Sequence, residues 1–371
     1  MKPNPPKHAL AFLRWFCRED YLEEIEGDLT EVFIKQAEIH PHQAKWNFAR
    51  SVLKYFRPEF MKSFRNHQPN PYGMYKSYLQ IGWRNLTKNK IFSSINISGL
   101  ALGLTCSILI ALWVADEFNM NAFHENLDRI YTITSTEYSG HEITYGGYDT
   151  PGLLADELKK ELPEVELACN TTGWLEWHTF SVSDRVTKMP GYFAGADFLS
   201  IFSYTLLLGS RETALKSPES VAISKRMANV LFGSPELAID QSIRFDNDTD
   251  LKVTAVFEDL GDNVSEKFDY LINWQFFVER HSWVKDWGNS GPTTYILLHK
   301  NSTPNTLRPK LQHFLKKYDK GYSDLHRLEL GLQPFRDKYL YSNFEDGKVA
   351  GGRIEYVSLF SAVAIFILLI A

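Results

Sequence analysis

Two runs of apolar residues free of charge interrupt an otherwise mixed sequence. From Ile91 to Val114 the chain reads IFSSINISGLALGLTCSILIALWV, without an Asp, Glu, Lys or Arg. About 24 residues of helix cross a ~30 Å hydrocarbon core, so the pattern predicts a first transmembrane helix over residues 91–115. The second run, YVSLFSAVAIFILLIA, begins at Tyr356 and reaches Ala371. Its ~16 residues fall short of the ~20 that a span needs. It predicts the start of a second transmembrane helix, truncated, over residues 355–371, and the chain reads as a piece of a longer membrane protein.

Ahead of the first run, Leu10, Leu13, Phe16, Leu22, Ile25, Leu29, Val32 and Phe33 recur at three- and four-residue spacing. That period is helical, and acidic positions from Glu19 to Asp28 cover the opposite face. Pro41 separates this hairpin from a third apolar segment, Ala44 to Phe56. Residues 1–70 are therefore expected to form a cytoplasmic helical prefix domain. HQPNPYG, His67 to Gly73, has the composition of a linker. Within residues 71–90, Tyr78, Leu79, Ile81, Trp83 and Leu86 alternate with Lys76, Arg84 and Lys88. A basic amphipathic helix next to a span is expected to lie in the membrane interface.

Between the runs, residues 116–354 mix both periods. Arg129–Glu137, Glu176–Val182, Ser220–Ile223, Ser242–Phe245, Lys252–Phe257 and Thr294–Leu298 are β-branched or alternating and predict strands. Pro151–Leu162, Ser224–Phe232 and Thr306–Tyr318 predict helices, the second capped by Ser224. The fold class expected is α+β: a helical prefix, a transmembrane helix, a mixed α/β outer domain and the start of a second transmembrane helix.

Charge orients this arrangement. Between Lys54 and Lys90 there are eight Lys or Arg residues against Glu59 alone, whereas Asp116, Glu117, Glu125 and Asp128 follow the first run. Positive charge beside a span stays in the cytoplasm. The N-terminus is thus expected inside and residues 116–354 outside. The basic run is explained by its place next to a span, so it argues for contact with membrane lipids and not for nucleic-acid binding. Cys17, Cys106 and Cys169 fall in three different segments, which leaves the outer domain no internal disulfide.

Candidate chemistry is sparse. In the first span, Gly99 and Gly103 are four apart and Ser107 follows one turn later. Small residues at this spacing let helices approach closely in lipid, so the three are expected to pack against another transmembrane helix. There is no phosphate-binding G-x-x-x-x-G-K-[ST] loop. His40-Pro-His42 reads as a surface turn, and His124 as a turn or membrane-surface residue rather than a metal ligand. Asp246, Asp248 and Asp250 have alternate spacing but lack the Gly and later Glu of a calcium loop, so FDNDTD reads as a solvated hairpin turn. Gly288-Asn-Ser290-Gly291 lacks the spacing of a nucleophile elbow. No catalytic, cofactor-binding or metal-ligating residue is assigned.

Several of these segments, in this order, resemble a known family. Ile81-Gly-Trp-Arg-Asn-Leu-Thr-Lys-Asn-Lys90 with Ser94-Ile-Asn-Ile-Ser-Gly-Leu-Ala-Leu-Gly103 is similar to the start of the MacB/FtsX-like ABC transporter permeases. Phe123 to Tyr131, Ser220 to Gly233 and Lys252 to Leu260 resemble segments of that family's periplasmic core domain, and Glu26-Gly-Asp-Leu-Thr-Glu31 resembles the prefix of some members. The resemblance implies an outer domain with a βα "porter" part and a mainly β "sabre" part, in the cell inner membrane with residues 116–354 periplasmic. It implies a non-catalytic permease subunit of a homodimer or a paired permease repeat. ATP would be bound by a separate cytoplasmic ABC ATPase, whose hydrolysis moves the periplasmic domain to export or extract a substrate or to act on a periplasmic partner protein. The alternative from another class is a membrane-anchored extracytoplasmic sensor or regulator with a ligand-binding domain between two spans.

Overall fold

The computed structural model describes residues 3–62 and 71–370, divided into two compact units at Asn96/Ile97. In the first unit, α1 (Lys7–Phe16), α2 (Glu19–Ala37) and α3 (Pro41–Lys54) form a small bundle. Leu13, Phe16, Leu29, Phe33, Phe48 and Val52 supply its core, the helical positions that the apolar spacing selects. Pro41 opens α3 at its first turn, where the missing N–H costs nothing. The next helix, α4 (Pro71–Lys88), likewise begins on a proline. Of the expected linker, residues 67–70 lie outside the described residues, and Pro71 to Gly73 belong to α4 instead. Tyr75, Tyr78, Leu79 and Trp83 of α4 are exposed.

Among the described residues two helices are long and apolar enough to cross a membrane, α5 (Lys90–Phe118) and α13 (Arg353–Ile370). Between them the second unit runs through β1 (Ile130–Ser139), β2 (Glu142–Gly147), α6 (Leu154–Glu161), β3 (Val165–Thr171), β4 (Glu176–Val182), β5 (Arg185–Ala194), α7 (Phe198–Ile201) and β6 (Leu206–Leu208). It continues with β7 (Ser220–Ser224), α8 (Lys225–Leu231), α9 (Pro235–Ala238), β8 (Ser242–Phe245), β9 (Thr249–Phe257), β10 (Tyr270–Asn273), α10 (Trp274–Arg280), β11 (Thr293–Leu298), α11 (Pro304–Gln312), β12 (His326–Pro334) and α12 (Phe335–Lys338).

The sheet has two halves. In one, β10-β7-β9-β8-β4-β5 are neighbours, and β10 also pairs with β5. That last ladder closes a six-stranded barrel, which leaves no free edge. Side chains alternate along its strands: Val221, Ile223, Tyr270 and Ile272 join the barrel cluster with Phe180, Ile243 and Val253, whereas Ala222 and Leu271 face a second cluster. Gly191 lies opposite Tyr270 in the closing ladder. A Cβ there would collide with the Tyr270 carbonyl and ring, so closure needs glycine at this point. The other half is open and antiparallel, ordered β3-β11-β1-β12, with β2 as a further partner of β1. A single residue pair, Thr171 with Ala194, joins β3 to β5 and so links the halves. The core of the open half combines α6 and α11 with β1, β3, β11 and β12, through Leu154, Leu158, Leu307, Leu311, Ile133 and Leu332 among others.

Most expected elements occur close to their predicted bounds, and Ser224 caps α8 by accepting a hydrogen bond from the Met227 amide. Two helices differ. The one expected from Pro151 starts at Leu154. The Gly152 carbonyl is claimed by Asn170 (2.5 Å) and by the Trp274 indole (3.1 Å), which holds this stretch in a turn. The helix expected over Thr306–Tyr318 stops at Gln312, and a 3-10 turn, Phe314–Lys317, follows.

Candidate functional site at the outer ends of the apolar helices

α5 and α13 meet along one stripe each. On α5 the covered positions are Gly103, Cys106, Ser107, Ile110, Trp113 and Glu117, and on α13 they are Val357, Ser361, Ala364 and Ile367. The Ser107 hydroxyl donates to the Ala364 carbonyl at 3.2 Å, and Trp113 meets Phe360 edge-on at 5.3 Å. Of the residues expected to pack, Ser107 is buried, Gly103 is half-buried, and a Cβ on Gly99 would meet nothing. The remaining faces expose Leu102, Leu109, Leu112, Phe366 and Leu369, as helices in lipid would.

At the outer ends the contact becomes ionic. Glu117 is 4% exposed. Its carboxylate takes both prongs of Arg353, Nε to Oε2 at 2.5 Å and Nη2 to Oε1 at 2.8 Å. A buried carboxylate is tolerable only when so matched. The Arg353 guanidinium also lies 5.0 Å from the centre of the Tyr339 ring, just after α12. One ion pair therefore joins the last turn of α5, the first turn of α13 and the segment entering α13.

A ring of aromatics surrounds His124. Contrary to the surface position expected from sequence, His124 is 3% exposed. Phe123, Phe202, Tyr204 and Phe335 surround it, with ring centres 4.1–5.7 Å away. Its Nδ1 accepts from the Ser203 amide at 3.1 Å, which leaves the proton on Nε2, without a partner among the described residues. Burial, aided by the Arg211 charge, pushes its pKa down to about 4, so the imidazole is neutral. Burial overrode the local signal here: the polar ENLD sequence after His124 suggests a turn, and the folding-back of Phe202 and Phe335 is long-range.

A cleft of about 520 Å³ opens beside this ring, where the two halves of the sheet meet, and Tyr148, Tyr192, Tyr204, Tyr295, Glu266 and Lys338 line it. Tyr192 donates to Glu266 at 2.6 Å. Lys338, on α12, donates to the Tyr295 hydroxyl at 2.7 Å.

In the barrel, His178 on β4 bridges two carboxylates. Its Nδ1 is 2.6 Å from Asp246 and its Nε2 3.1 Å from Glu176. Burial alone would lower its pKa, but the two carboxylates together outweigh burial and raise it. Asp246 comes from the expected hairpin turn, where it and Asn247 take left-handed conformations. It reaches sideways to β4, whereas Asp248 pairs with Arg280 and Asp250 with Arg244. The three carboxylates diverge, and among the described residues no group of three His, Cys, Asp or Glu side chains is arranged to hold a metal ion. His40 and His42 are exposed at the start of α3, and Ser290 is exposed in the loop before β11.

Sequence reasoning missed the Glu117–Arg353 pair, His178 and Lys338. For the first a signal was present: opposite charges sit at the outer ends of the two apolar runs, the expected place for a pair between antiparallel helices.

Comparison with known proteins identifies residues 93–314 with the MacB-like periplasmic core domain. Solved structures with similarity include a domain described as that of a permease protein from Porphyromonas gingivalis, 24% identical, TM-score 0.49, covering 57% of this chain and 92% of that one. They also include the periplasmic region of MacB from Actinobacillus actinomycetemcomitans, 14% identical, TM-score 0.38, covering 55% and 91%. The extracellular domain of the ABC-type transporter YknZ from Gram-positive bacteria is 12% identical, TM-score 0.35, covering 53% and 98%. No curated protein matches the chain.

Proposed function

The chain belongs to the family defined by the MacB-like periplasmic core domain, and from that premise we propose that it is the membrane permease subunit of an ABC-type transporter. A partner ATPase in the cytoplasm binds and hydrolyses ATP, and this chain carries the resulting motion to its outer domain without catalysis or a cofactor of its own. The inner membrane holds it, with the N-terminus inside and the core domain in the periplasm, in a homodimer or beside a paired permease repeat. The open half of the sheet corresponds to the porter part and the barrel to the sabre part. Gly99 faces a further transmembrane helix in the assembly.

The observation that carries this reading is the Glu117–Arg353 pair. It fastens the outer ends of α5 and α13 together; α5 leads into β1 and α13 follows β12, so displacement of either helix is delivered to the same sheet. A ligand must interact differently with two states to shift them, and nucleotide on the ATPase would do so through these helices. The sensor reading finds no counterpart in the family match; a regulator of a periplasmic partner protein works through the same coupling.

The test is to reconstitute the full-length protein in nanodiscs with the ABC ATPase encoded beside it. ATP hydrolysis is expected to rise several-fold in the presence of the permease. Arg353→Met is expected to lower that stimulation while leaving the two proteins associated. If no ATPase associates, the permease reading fails.

A further inference from the structure

The cleft between the two halves of the sheet holds a cation without a carboxylate partner. Three charged side chains line it: Asp149, Glu266 and Lys338. Each acid is already served by a neutral donor, Asp149 by the Tyr145 hydroxyl at 2.6 Å and Glu266 by the Tyr192 hydroxyl at 2.6 Å. Lys338 has only the Tyr295 hydroxyl, at 2.7 Å. Its ammonium stands 5.1 Å from the centre of the Tyr148 ring and 5.0 Å from that of Tyr295. Among the described residues it forms no ion pair, although 17 other Lys and Arg residues do.

An ammonium in a half-buried, ring-lined place loses hydration that a phenol and two ring faces restore only in part. Burial accordingly pulls the Lys338 pKa down from the ordinary lysine value. Four flat apolar rings, Phe198, Phe202, Phe268 and Phe335, also line it, together with neutral polar side chains such as Asn121, Thr171 and Thr293. A volume of about 520 Å³ lies within the range of pockets that enclose drug-sized molecules, ~300–1,000 Å³. A set of ring faces beside one cation that lacks an ion-pair partner is an arrangement that can orient a ring-bearing acid.

We infer that this cleft binds a small aromatic or otherwise flat apolar molecule bearing one carboxylate, the carboxylate pairing with Lys338 and the apolar body lying among the rings. The inference stands on the cleft alone and is independent of the coupling reading. Because Lys338 ends α12 and Tyr339 next to it touches Arg353, occupancy would be felt at the junction of α5 and α13.

The experiment is calorimetric titration of the full chain in nanodiscs of zwitterionic lipid, with empty nanodiscs subtracted. The probes are 2-naphthoate, 2-naphthylmethanol and 2-naphthylmethylamine, which share a ring system and differ in charge. The acid is expected to bind at least tenfold more tightly than the alcohol, and the amine most weakly. Lys338→Met should remove the preference for the acid with alcohol binding within twofold of wild type, and Lys338→Arg should keep it. Glu266→Gln, at an exposed side chain, should tighten the acid by removing an opposing charge. Equal affinity for acid and alcohol, an acid preference that survives Lys338→Met, or no binding of any probe would overturn the assignment. If Lys338→Met unfolds, loss of the acid preference in Lys338→Arg, or no gain from Glu266→Gln, overturns it independently.

Discussion

The two halves of the core domain solve the edge problem of a sheet in opposite ways. The barrel closes on itself through β10 and β5, and its one histidine cluster, Glu176–His178–Asp246, is ionic and partly wet. The open half does not close, and its histidine, His124, is dry and neutral. The same residue type thus has its pKa raised in one half and lowered in the other. The half that needs no outside support keeps its charges internal, whereas the half attached to the apolar helices places its buried charge, Glu117, where the attachment is made.

Four changes break or sharpen this contrast. The largest is Phe202→Ala. Phe202 is 2% exposed and touches His124, Tyr295 and Phe335, so the cavity should cost about 3–5 kcal/mol in denaturant unfolding. Phe180→Ala in the barrel should cost a similar amount but leave the titration of His124, followed by NMR, unchanged; a shift there would show that the halves are one unit.

Next is acid sensitivity of the open half. The folded pKa of His124 is lowered to about 4 against an ordinary value of ~6.5. The unfolded chain therefore takes up the proton first as pH falls. Stability from this group is complete above ~6.5 and declines by up to roughly 3 kcal/mol as pH drops towards 4. His124→Phe should remove that slope in thermal unfolding scans.

Arg353→Met is third. It leaves the Glu117 carboxylate buried without its cation, but Arg353 is itself 47% exposed, so about 1–2 kcal/mol is expected in place of the larger figure for a fully buried pair. Hydrogen exchange in the last turn of α5 should quicken while the barrel stays protected.

The smallest effect has the opposite sign. Because the folded pKa of His178 is raised, its contribution is full below the ordinary histidine value and is lost as pH rises through the folded value. Mild acid should thus slow exchange in β4 and β8 while it hastens exchange around His124. Parallel behaviour of the two regions would refute the contrast.

Legibility followed locality. β4 and β8 match their alternating patterns to the residue, and the Ser224 cap needs only three consecutive amides. β5 was invisible because it contains Pro190 and Gly191, both poor strand formers. They are tolerated because Gly191 admits Tyr270 of the closing strand, a partner some eighty positions away. β10, YLIN, is four buried residues with no period to read. The cleft draws on residues from Asn121 to Phe344, and no spacing rule connects them. Nothing in FRDK marks Lys338; only the fold places it among rings.

β1 and β12 pair through nine successive positions, from Tyr131–Pro334 to Ser139–His326, and α5 and α13 attach at the same end of that ribbon. The ribbon is therefore anisotropic. A displacement of one helix along the strand axis loads it in shear, and all nine pairings must slip together by a full two-residue repeat to keep their faces. A sideways separation of the helices peels it one pair at a time, beginning at Tyr131–Pro334. Axial strokes of a helix should pass into the domain almost undiminished, whereas lateral opening should be absorbed at the ribbon's first rungs.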